Sequence, residues 1–260
     1  MVELDKNGFI GYSEVLRNAG FHGKLDSKQK YIENIKTQGP DWEFINLKFN
    51  YVRNSFGHRS KEYSELNLDN YILCTGCSLV EGIGLPVEKR WSDLLATKLE
   101  CDMYNLGIGG TGNDVIFYNL VNWFTNIEVK PKLVIIGWSS TNRFITSNSK
   151  CDSVTENLGL LKICGPAIED IKNFIVEGDE INYFHTKTFL LKNLIRKIIQ
   201  VPIIEMPWML ESDNNPNVSE IKFDSNFVID RARDLMHPGI KSNQKCAEVL
   251  YNYIKENKLL

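Results

Sequence analysis

The sequence predicts an α/β protein in which a parallel sheet is covered by helices on both faces. Short apolar runs that stop at a glycine alternate with segments whose apolar residues recur at helical spacing. Each predicted strand is a continuous apolar run, which is typical of a strand buried on both faces. Glycines follow the first three strands, at the sheet edge where the sites of such proteins gather. We therefore expect a functional site at the carboxyl ends of these strands.

The regular elements follow one another from about residue 70 to the last residues of the sequence. Strands are predicted at residues 71–74, 103–106, 133–136 and 201–204, with a fifth at Phe227–Ile229. Helices are predicted at residues 91–99, 115–124, 189–199 and 240–254. Residues 1–66 are polar and rich in turn-forming residues, with scattered aromatic side chains. We expect an irregular N-terminal extension (1–66) packed on the core of an α/β domain (67–260).

Composition excludes several classes of protein. The 260 residues are 43% hydrophobic and 24% charged, and the net charge of -3 with a pI near 5.9 lacks the basic character of nucleic-acid binding. The N-terminus is polar and acidic, and no run approaches the roughly 18 to 20 apolar residues that cross a bilayer. Six cysteines without a secretory signal predict reduced thiols. We expect a cytoplasmic protein that binds neither nucleic acid nor membrane; its oligomeric state stays open.

Histidine is the side chain that most often serves as a general base near neutral pH, and the chain has four. His22 and His58 lie in the N-terminal extension and His185 lies at the start of a helix, so we expect each to be structural or exposed. His237 differs, because Asp234 precedes it by three residues directly before the last helix. An aspartate so placed can accept a hydrogen bond from one ring nitrogen and leave the other as a base. The pattern alone is common, so a nucleophile must accompany it.

Ser78 is the candidate nucleophile. It lies in the segment Thr75–Leu79, where the first strand ends and a turn or helix begins. A serine held on such a tight turn has backbone amides beside it that can stabilise an oxyanion. The alternative is a serine that caps the N-terminus of a helix, which describes most serines that follow a strand.

Three segments of the chain resemble sequence blocks of the SGNH (GDSL) serine hydrolases. Residues 76–86 resemble block I, residues 105–110 resemble block II, and residues 234–237 with the following Pro-Gly resemble block V. Residues 54–59 resemble the segment that precedes block I in many of these sequences. The resemblance covers residues 54–256, with the blocks in the family's order and spacing.

This resemblance implies a flavodoxin-like three-layer α/β/α sandwich with a mostly parallel sheet of about five strands. It implies an SGNH hydrolase domain over residues 67–260, with Ser78 as nucleophile, His237 as base and Asp234 orienting the imidazole. The implied reaction is hydrolysis of small, acetyl-like esters through an acyl-enzyme, on a small-molecule or carbohydrate substrate. It requires no cofactor and no metal ion. An O-acyltransferase with the same triad, or a non-catalytic binding or structural module such as a phage-particle component, stays open.

The oxyanion hole is where the chain departs furthest from the family. The resemblance implies the amides of Ser78 and Gly110 and a side-chain donor after the third strand, where the family has Gly-x-Asn-Asp. This chain reads Gly137–Arg143, GWSSTNR. Spacing selects Ser139 as the donor and residue type selects Asn142; both side chains can donate, and we expect Asn142.

Other features suggest alternative chemistry. Cys77 replaces the aspartate of Gly-Asp-Ser, which lies outside the triad, so we expect catalysis to be unaffected. Cys74 and Cys77 form a single CxxC, but Cys74 falls inside a predicted buried strand, so we expect neither a redox nor a metal role.

Residues Glu3–Glu14 have the ligand spacing of an EF-hand loop without room for an entering helix, and we expect this match to be a coincidence. Arg143 either binds an anionic group of the substrate or pairs with an acid on the surface.

Overall fold

The structure, a computed structural model, describes residues 2–4, 7–23, 26–140, 143–146, 162–164, 180–206, 219–220 and 227–260. Its N-terminal elements are β1 (Val2–Leu4), β2 (Ile10–Tyr12), β3 (Asn18–Ala19), α1 (Lys28–Gln38) and β4 (Tyr51–Val52). The later elements are β5 (Tyr71–Gly76), α2 (Ser78–Glu81), α3 (Trp91–Leu99), β6 (Asp102–Asn105), α4 (Asn113–Asn126), β7 (Val134–Gly137), β8 (Phe144–Thr146), β9 (Lys162–Cys164), α5 (Glu180–Ile198), β10 (Ile203–Met206), β11 (Ser219–Glu220) and α6 (Ile240–Glu256). Short 3-10 helices lie at Glu14–Leu16, Glu43–Ile45, Tyr63–Glu65 and Val87–Lys89.

A five-stranded sheet forms the centre of the protein, in the order β11-β10-β7-β5-β6. All of its neighbouring strands run parallel. Numbered along the chain, the strands stand in the order 5-4-3-1-2, which is the flavodoxin-like arrangement. The register pairs Cys74 with Asn105 and Gly76 with Gly137, so the carboxyl ends of β5, β6 and β7 lie side by side. The predicted fold class is confirmed.

Alternate side chains of the strands enter two separate cores, one on each face of the sheet. Ile72 and Cys74 of β5 pack with residues of α3 and α6, whereas Tyr71 and Leu73 pack with residues of α4 and α5. This alternation is the two-residue period of a strand, and because both faces are apolar the strand reads as one continuous run. Helices on both faces give the three layers.

The N-terminal extension contains more regular structure than its sequence predicts. Helix α1 is capped by Ser27, whose Oγ accepts the amide hydrogen of Lys30 (3.1 Å). Asn34 is the one residue of this helix that is buried, so the helix lacks the apolar stripe by which helices are recognised in a sequence. Strands β1 and β2 pair as an antiparallel hairpin across the EF-hand-like segment, which is not the helix–loop–helix arrangement of that motif.

The fifth strand lies elsewhere than predicted. It is β11, which pairs with β10, while residues 227–229 form no strand. Phe227 packs in the core with residues of α6, which accounts for an apolar residue at this position. The amide of Ile229 donates to Ser242 Oγ (2.9 Å) instead of to a neighbouring strand. The prediction at Phe227–Ile229 was therefore wrong. Within the described ranges, no helix has the length and apolar character needed to span a membrane.

Candidate active site

Ser78 is the first residue of α2, directly after the turn that ends β5. The amides of Val80 and Glu81 donate to the carbonyl of Cys77 (both 3.0 Å), which closes the turn. A Cβ at Gly76 would lie 2.3 Å from the Val80 side chain and 2.7 Å from the Gly137 carbonyl oxygen, so only glycine lets the chain turn this closely beside β7. The Ser78 hydroxyl makes no hydrogen bond with a described residue, which leaves it available to react.

Asp234 and His237 form a hydrogen-bonded pair in the loop before α6. Ring nitrogen Nδ1 of His237 donates to Oδ2 of Asp234, since a carboxylate can only accept. Oδ1 of Asp234 accepts the amides of Met236 and His237 (both 3.0 Å). Burial works to raise the pKa of Asp234, but the His237 ring and these two amides together lower that pKa below its usual value. The aspartate is thus a buried carboxylate that fixes the orientation of the imidazole.

The N-terminal extension holds this loop in place. The Arg233 guanidinium donates to both carboxylate oxygens of Asp26 (2.9 and 2.6 Å) and lies 3.9 Å from the ring centroid of Phe49. Asn34 of α1 donates to the backbone carbonyl of Arg233 (2.9 Å). These bonds connect residues about 200 positions apart. The extension therefore contributes directly to the position of the Asp234–His237 pair.

Ser78 and His237 line one cleft of about 510 Å³ at the carboxyl edge of the sheet. The remaining lining residues are His22, Gly23, Leu79, Ile83, Gly109, Gly110, Arg143, Val228, Arg231, Met236 and Pro238. Ser78 and His237 are not hydrogen-bonded to each other, a looser arrangement that is common before a substrate binds. The cleft volume is in the range of sites for small ligands.

The glycine loop after β6 forms another wall of this cleft. Gly110 has φ +79, a left-handed conformation that favours glycine, and the space beside its Cα is open. The amide of Gly109 is already engaged, because it donates to Glu81 Oε2 (2.6 Å). The amide of Gly110 donates to no described group, so it is a free donor at the wall of the cleft.

The structure describes one of the two candidate side-chain donors after β7, Ser139. Ser139 is fully buried and does not line the cleft; its Oγ lies 3.3 Å from an Arg143 guanidinium nitrogen, and its amide donates to Asn113 Oδ1 (2.8 Å). Asn142 lies outside the described residues. Arg143, which follows β7 in the chain, does line the cleft.

One histidine that the sequence analysis did not assign to the site lines the cleft. His22, expected to be structural or exposed, lies in the cleft wall beside Gly109. Its Nε2 is 3.2 Å from Glu81 Oε1 and 2.8 Å from the Tyr12 hydroxyl. His58, in contrast, is fully buried, with Nε2 3.1 Å from the Ile10 carbonyl oxygen. No local sequence pattern predicts the contacts of His22 with Glu81 and Gly109, because these residues come from distant segments of the chain.

Two cysteines, Cys74 and Cys77, lie within four residues of Ser78 in the sequence. Cys74 and Cys77 are both free and buried. Burial raises the pKa of the Cys74 thiol well above its usual value, which disfavours the reactive thiolate. Among the described residues, no group of three or more His, Cys, Asp or Glu side chains could hold a metal ion.

Fold and site together define a flavodoxin-like α/β protein with a serine, an Asp–His pair and a free glycine amide around one cleft. Several solved structures resemble it, and three of them serve as examples. They are the acetyl xylan esterase Est2A from the rumen bacterium Butyrivibrio proteoclasticus (15% identity, 73% of this chain and 64% of that chain, TM-score 0.47), TesA (15%, 73% and 99%, 0.47) and the psychrotrophic esterase EstA from Pseudoalteromonas sp. (17%, 73% and 99%, 0.46).

This chain thus spans 64% of the length of the acetyl xylan esterase. No protein-family model matches the chain, and no curated protein matches it. The identities are 17% or less and the TM-scores lie below 0.5, so this likeness does not extend to function.

Proposed function

We propose that the protein is a serine hydrolase that cleaves small acyl esters through an acyl-enzyme intermediate. The observation that supports this best is the single cleft shared by Ser78, His237 and Gly110, with Asp234 buried behind the imidazole. A nucleophile, a base, a group that orients the base and a free amide donor are the parts that acyl transfer requires.

In the proposed reaction, Ser78 Oγ attacks the ester carbonyl and His237 Nε2 takes the hydroxyl proton. The carbonyl oxygen becomes an oxyanion, which the amides of Ser78 and Gly110 stabilise. The bond to the alcohol then breaks, and the alcohol leaves with the proton from His237. Water, deprotonated by His237, then attacks the acyl-enzyme. The bond between the acyl group and Ser78 Oγ breaks, His237 returns the proton to Ser78 Oγ, and the acid is released. Asp234 stabilises the imidazolium at each step.

The proposed substrate is an acetyl-like ester of a carbohydrate. The cleft of about 510 Å³ has room for a sugar unit beside Ser78. The family resemblance of residues 76–86, 105–110 and 234–237 supports the same assignment. The subset of the SGNH family that these segments resemble is closer to carbohydrate esterases than to lipases.

Labelling with a fluorophosphonate probe tests the nucleophile, and hydrolysis of 4-nitrophenyl acetate and of acetylated sugars tests the reaction. We expect one label per chain, on Ser78, and release of acetate from both substrates. Acetyl transfer to a sugar acceptor at the expense of hydrolysis would instead identify an acyltransferase. A folded protein that is neither labelled nor active would identify a non-catalytic module.

Substitution of the two candidate donors after β7 tests the oxyanion hole. We expect Asn142→Ala to lower kcat by about 100- to 1000-fold with little change in KM, because the bond strengthens mainly in the transition state. Ser139→Ala should be mild, since the Ser139 side chain is buried outside the cleft lining. Steady-state kinetics on 4-nitrophenyl acetate provide the measurement. If both variants stay fully active, the hole consists of backbone amides alone.

Two guanidinium groups in the cleft predict a preference for anionic esters. Arg143 and Arg231 line the cleft, and each donates one hydrogen bond to a neutral oxygen, of Ser139 and of Met236, rather than to a described carboxylate. A guanidinium fork matches a carboxylate. We therefore expect 4-acetoxybenzoate to have a KM about tenfold below that of the neutral 4-acetoxybenzamide, the size of one charged hydrogen bond.

The variants Arg143→Gln and Arg231→Gln locate this preference. At least one of them should make the two KM values equal, while kcat for the neutral amide stays close to that of the wild type. Arg17→Gln is the matched control, because Arg17 lies outside the cleft lining. Equal KM values in the wild-type protein would contradict the preference and leave the proposed hydrolysis intact.

A further inference from the structure

Glu81 is a fully buried carboxylate at the last position of α2, three residues after the proposed nucleophile. Oε2 accepts hydrogen bonds from the Tyr12 hydroxyl (2.8 Å) and the Gly109 amide (2.6 Å). Oε1 accepts one from the Arg53 guanidinium (3.0 Å) and lies 3.2 Å from His22 Nε2. Both carboxylate oxygens are therefore surrounded by donors, three of them from the N-terminal extension.

These donors keep Glu81 ionised inside the protein. Burial works against the charged form, whereas His22, Arg53 and Tyr12 together hold the pKa of Glu81 well below its usual range. The side chain of Arg53 is itself only 2% exposed and lies 3.9 Å from the ring centroid of Tyr12. A buried carboxylate with this set of partners forms charge-assisted hydrogen bonds, which are shorter and stronger than neutral ones.

The Gly109 amide connects this cluster to the active site. Gly109 is followed by Gly110, whose free amide is the proposed oxyanion donor, and both glycines line the cleft. The loop approaches α2 so closely that a Cβ at Gly107 would lie 2.6 Å from the Glu81 backbone nitrogen. Glu81 therefore joins the helix that begins with Ser78 to the loop that carries the second donor.

We propose that Glu81 is a positioning residue, which fixes the Gly109–Gly110 loop relative to Ser78, and that Tyr12, His22 and Arg53 complete this arrangement from the N-terminal extension. The inference rests on the proposed hydrolase function. It assigns the extension a part in the geometry of the oxyanion hole. Preorganised donors accelerate acyl transfer only when they are held at the position of the developing charge.

Tyr12→Phe is the most conservative test, because it removes one hydroxyl and keeps the aromatic ring beside Arg53 and His22. That hydroxyl donates to Glu81 and also accepts from the Gly109 amide (3.0 Å). Glu81→Gln removes the charge at nearly constant size. Tyr71→Phe is the matched control, since it also removes a buried tyrosine hydroxyl. Tyr71 begins β5, at the end of the strand away from Ser78, and its hydroxyl donates to the Val129 carbonyl.

The measurements are kcat and KM for 4-nitrophenyl acetate, the Kd of phenylboronic acid, which forms a tetrahedral adduct with a serine nucleophile, and the melting temperature. We expect kcat to fall about tenfold in Tyr12→Phe and about 10- to 100-fold in Glu81→Gln, with KM within about twofold, since an oxyanion donor acts mainly in the transition state. The boronate Kd should rise in parallel with the loss in kcat. Tyr71→Phe should lower the melting temperature without changing kcat or the boronate Kd.

The outcomes distinguish failure of the positioning role from failure of the proposed hydrolase function. If the wild-type protein is active and a folded Tyr12→Phe variant retains its full kcat and boronate affinity, the positioning role is refuted and the hydrolase function stands. Equal losses in Tyr12→Phe and Tyr71→Phe would also refute it, because they would report general destabilisation. Should Glu81→Gln fail to fold, Tyr12→Phe decides. A wild-type protein without activity or labelling overturns both the function and the inference.

Discussion

Ser78→Ala is expected to abolish ester hydrolysis while leaving the thermal melt nearly unchanged. Loss of a triad nucleophile usually reduces kcat by several orders of magnitude, so we expect a fall of about 10⁴-fold or more. The fold should tolerate the change, because the Ser78 hydroxyl makes no hydrogen bond with a described residue. Hydrolysis of 4-nitrophenyl acetate and a thermal melt of the same preparations measure both effects. Activity at about a tenth of the wild-type level or above would exclude Ser78 as the attacking group.

Cys77→Ala provides the matched control for the nucleophile. Cys77 adjoins Ser78, but its side chain is buried and forms no disulfide, so reagents in solution reach its sulfur poorly. The variant should keep most of the activity, and iodoacetamide should inhibit the wild-type protein poorly. A loss that matches Ser78→Ala in a folded Cys77→Ala protein would move the chemistry to sulfur.

The sheet could be predicted from the sequence because its strands are buried on both faces. Tyr71–Cys74 reads as one apolar run since its alternate residues fill two different cores. Helix α1 could not be predicted, because it lies on the surface of the protein and is held by a polar bond from Asn34 to the Arg233 carbonyl. Strand β11 contains two residues, Ser219 and Glu220, which is too short for any periodicity to register.

The site could be predicted where its contacts are local. Asp234 and His237 are three residues apart, so their bond follows from the loop that contains both. Ser78 follows from the end of a strand and the family resemblance of its segment. The contacts of Glu81 with Tyr12 and Gly109 span 69 and 28 residues, and such distant pairs leave no local pattern. The sequence therefore predicts the local contacts of the candidate site better than it predicts the contacts made from distant segments.

Asp234→Asn is expected to lower kcat by about 10⁴-fold with a smaller change in KM. The carboxylate accepts the Nδ1 hydrogen of His237, and this bond leaves Nε2 unprotonated, as the proposed base requires. An amide nitrogen at the same position donates to the ring instead and favours the tautomer in which Nε2 carries the hydrogen, so the imidazole can no longer take the serine proton. Steady-state kinetics and the rate of fluorophosphonate labelling measure the loss, and both should fall together.

The same substitution should change the pH dependence of stability. Because the folded-state pKa of Asp234 is lowered, the unfolded chain binds more protons, and the stabilisation present above the unfolded pKa of about 3.9 is lost as the pH falls through the folded value. Urea denaturation should therefore show wild-type and Asp234→Asn free energies of unfolding that differ most above about pH 5 and converge below about pH 4. Asp230→Asn is the control on the same loop: its carboxylate accepts the amides of Lys241 and Ser242 (2.8 and 2.9 Å), so it should lower stability and keep kcat within about threefold. If Asp234→Asn keeps kcat at that level too, the imidazole is not oriented by this carboxylate and the proposed triad is wrong.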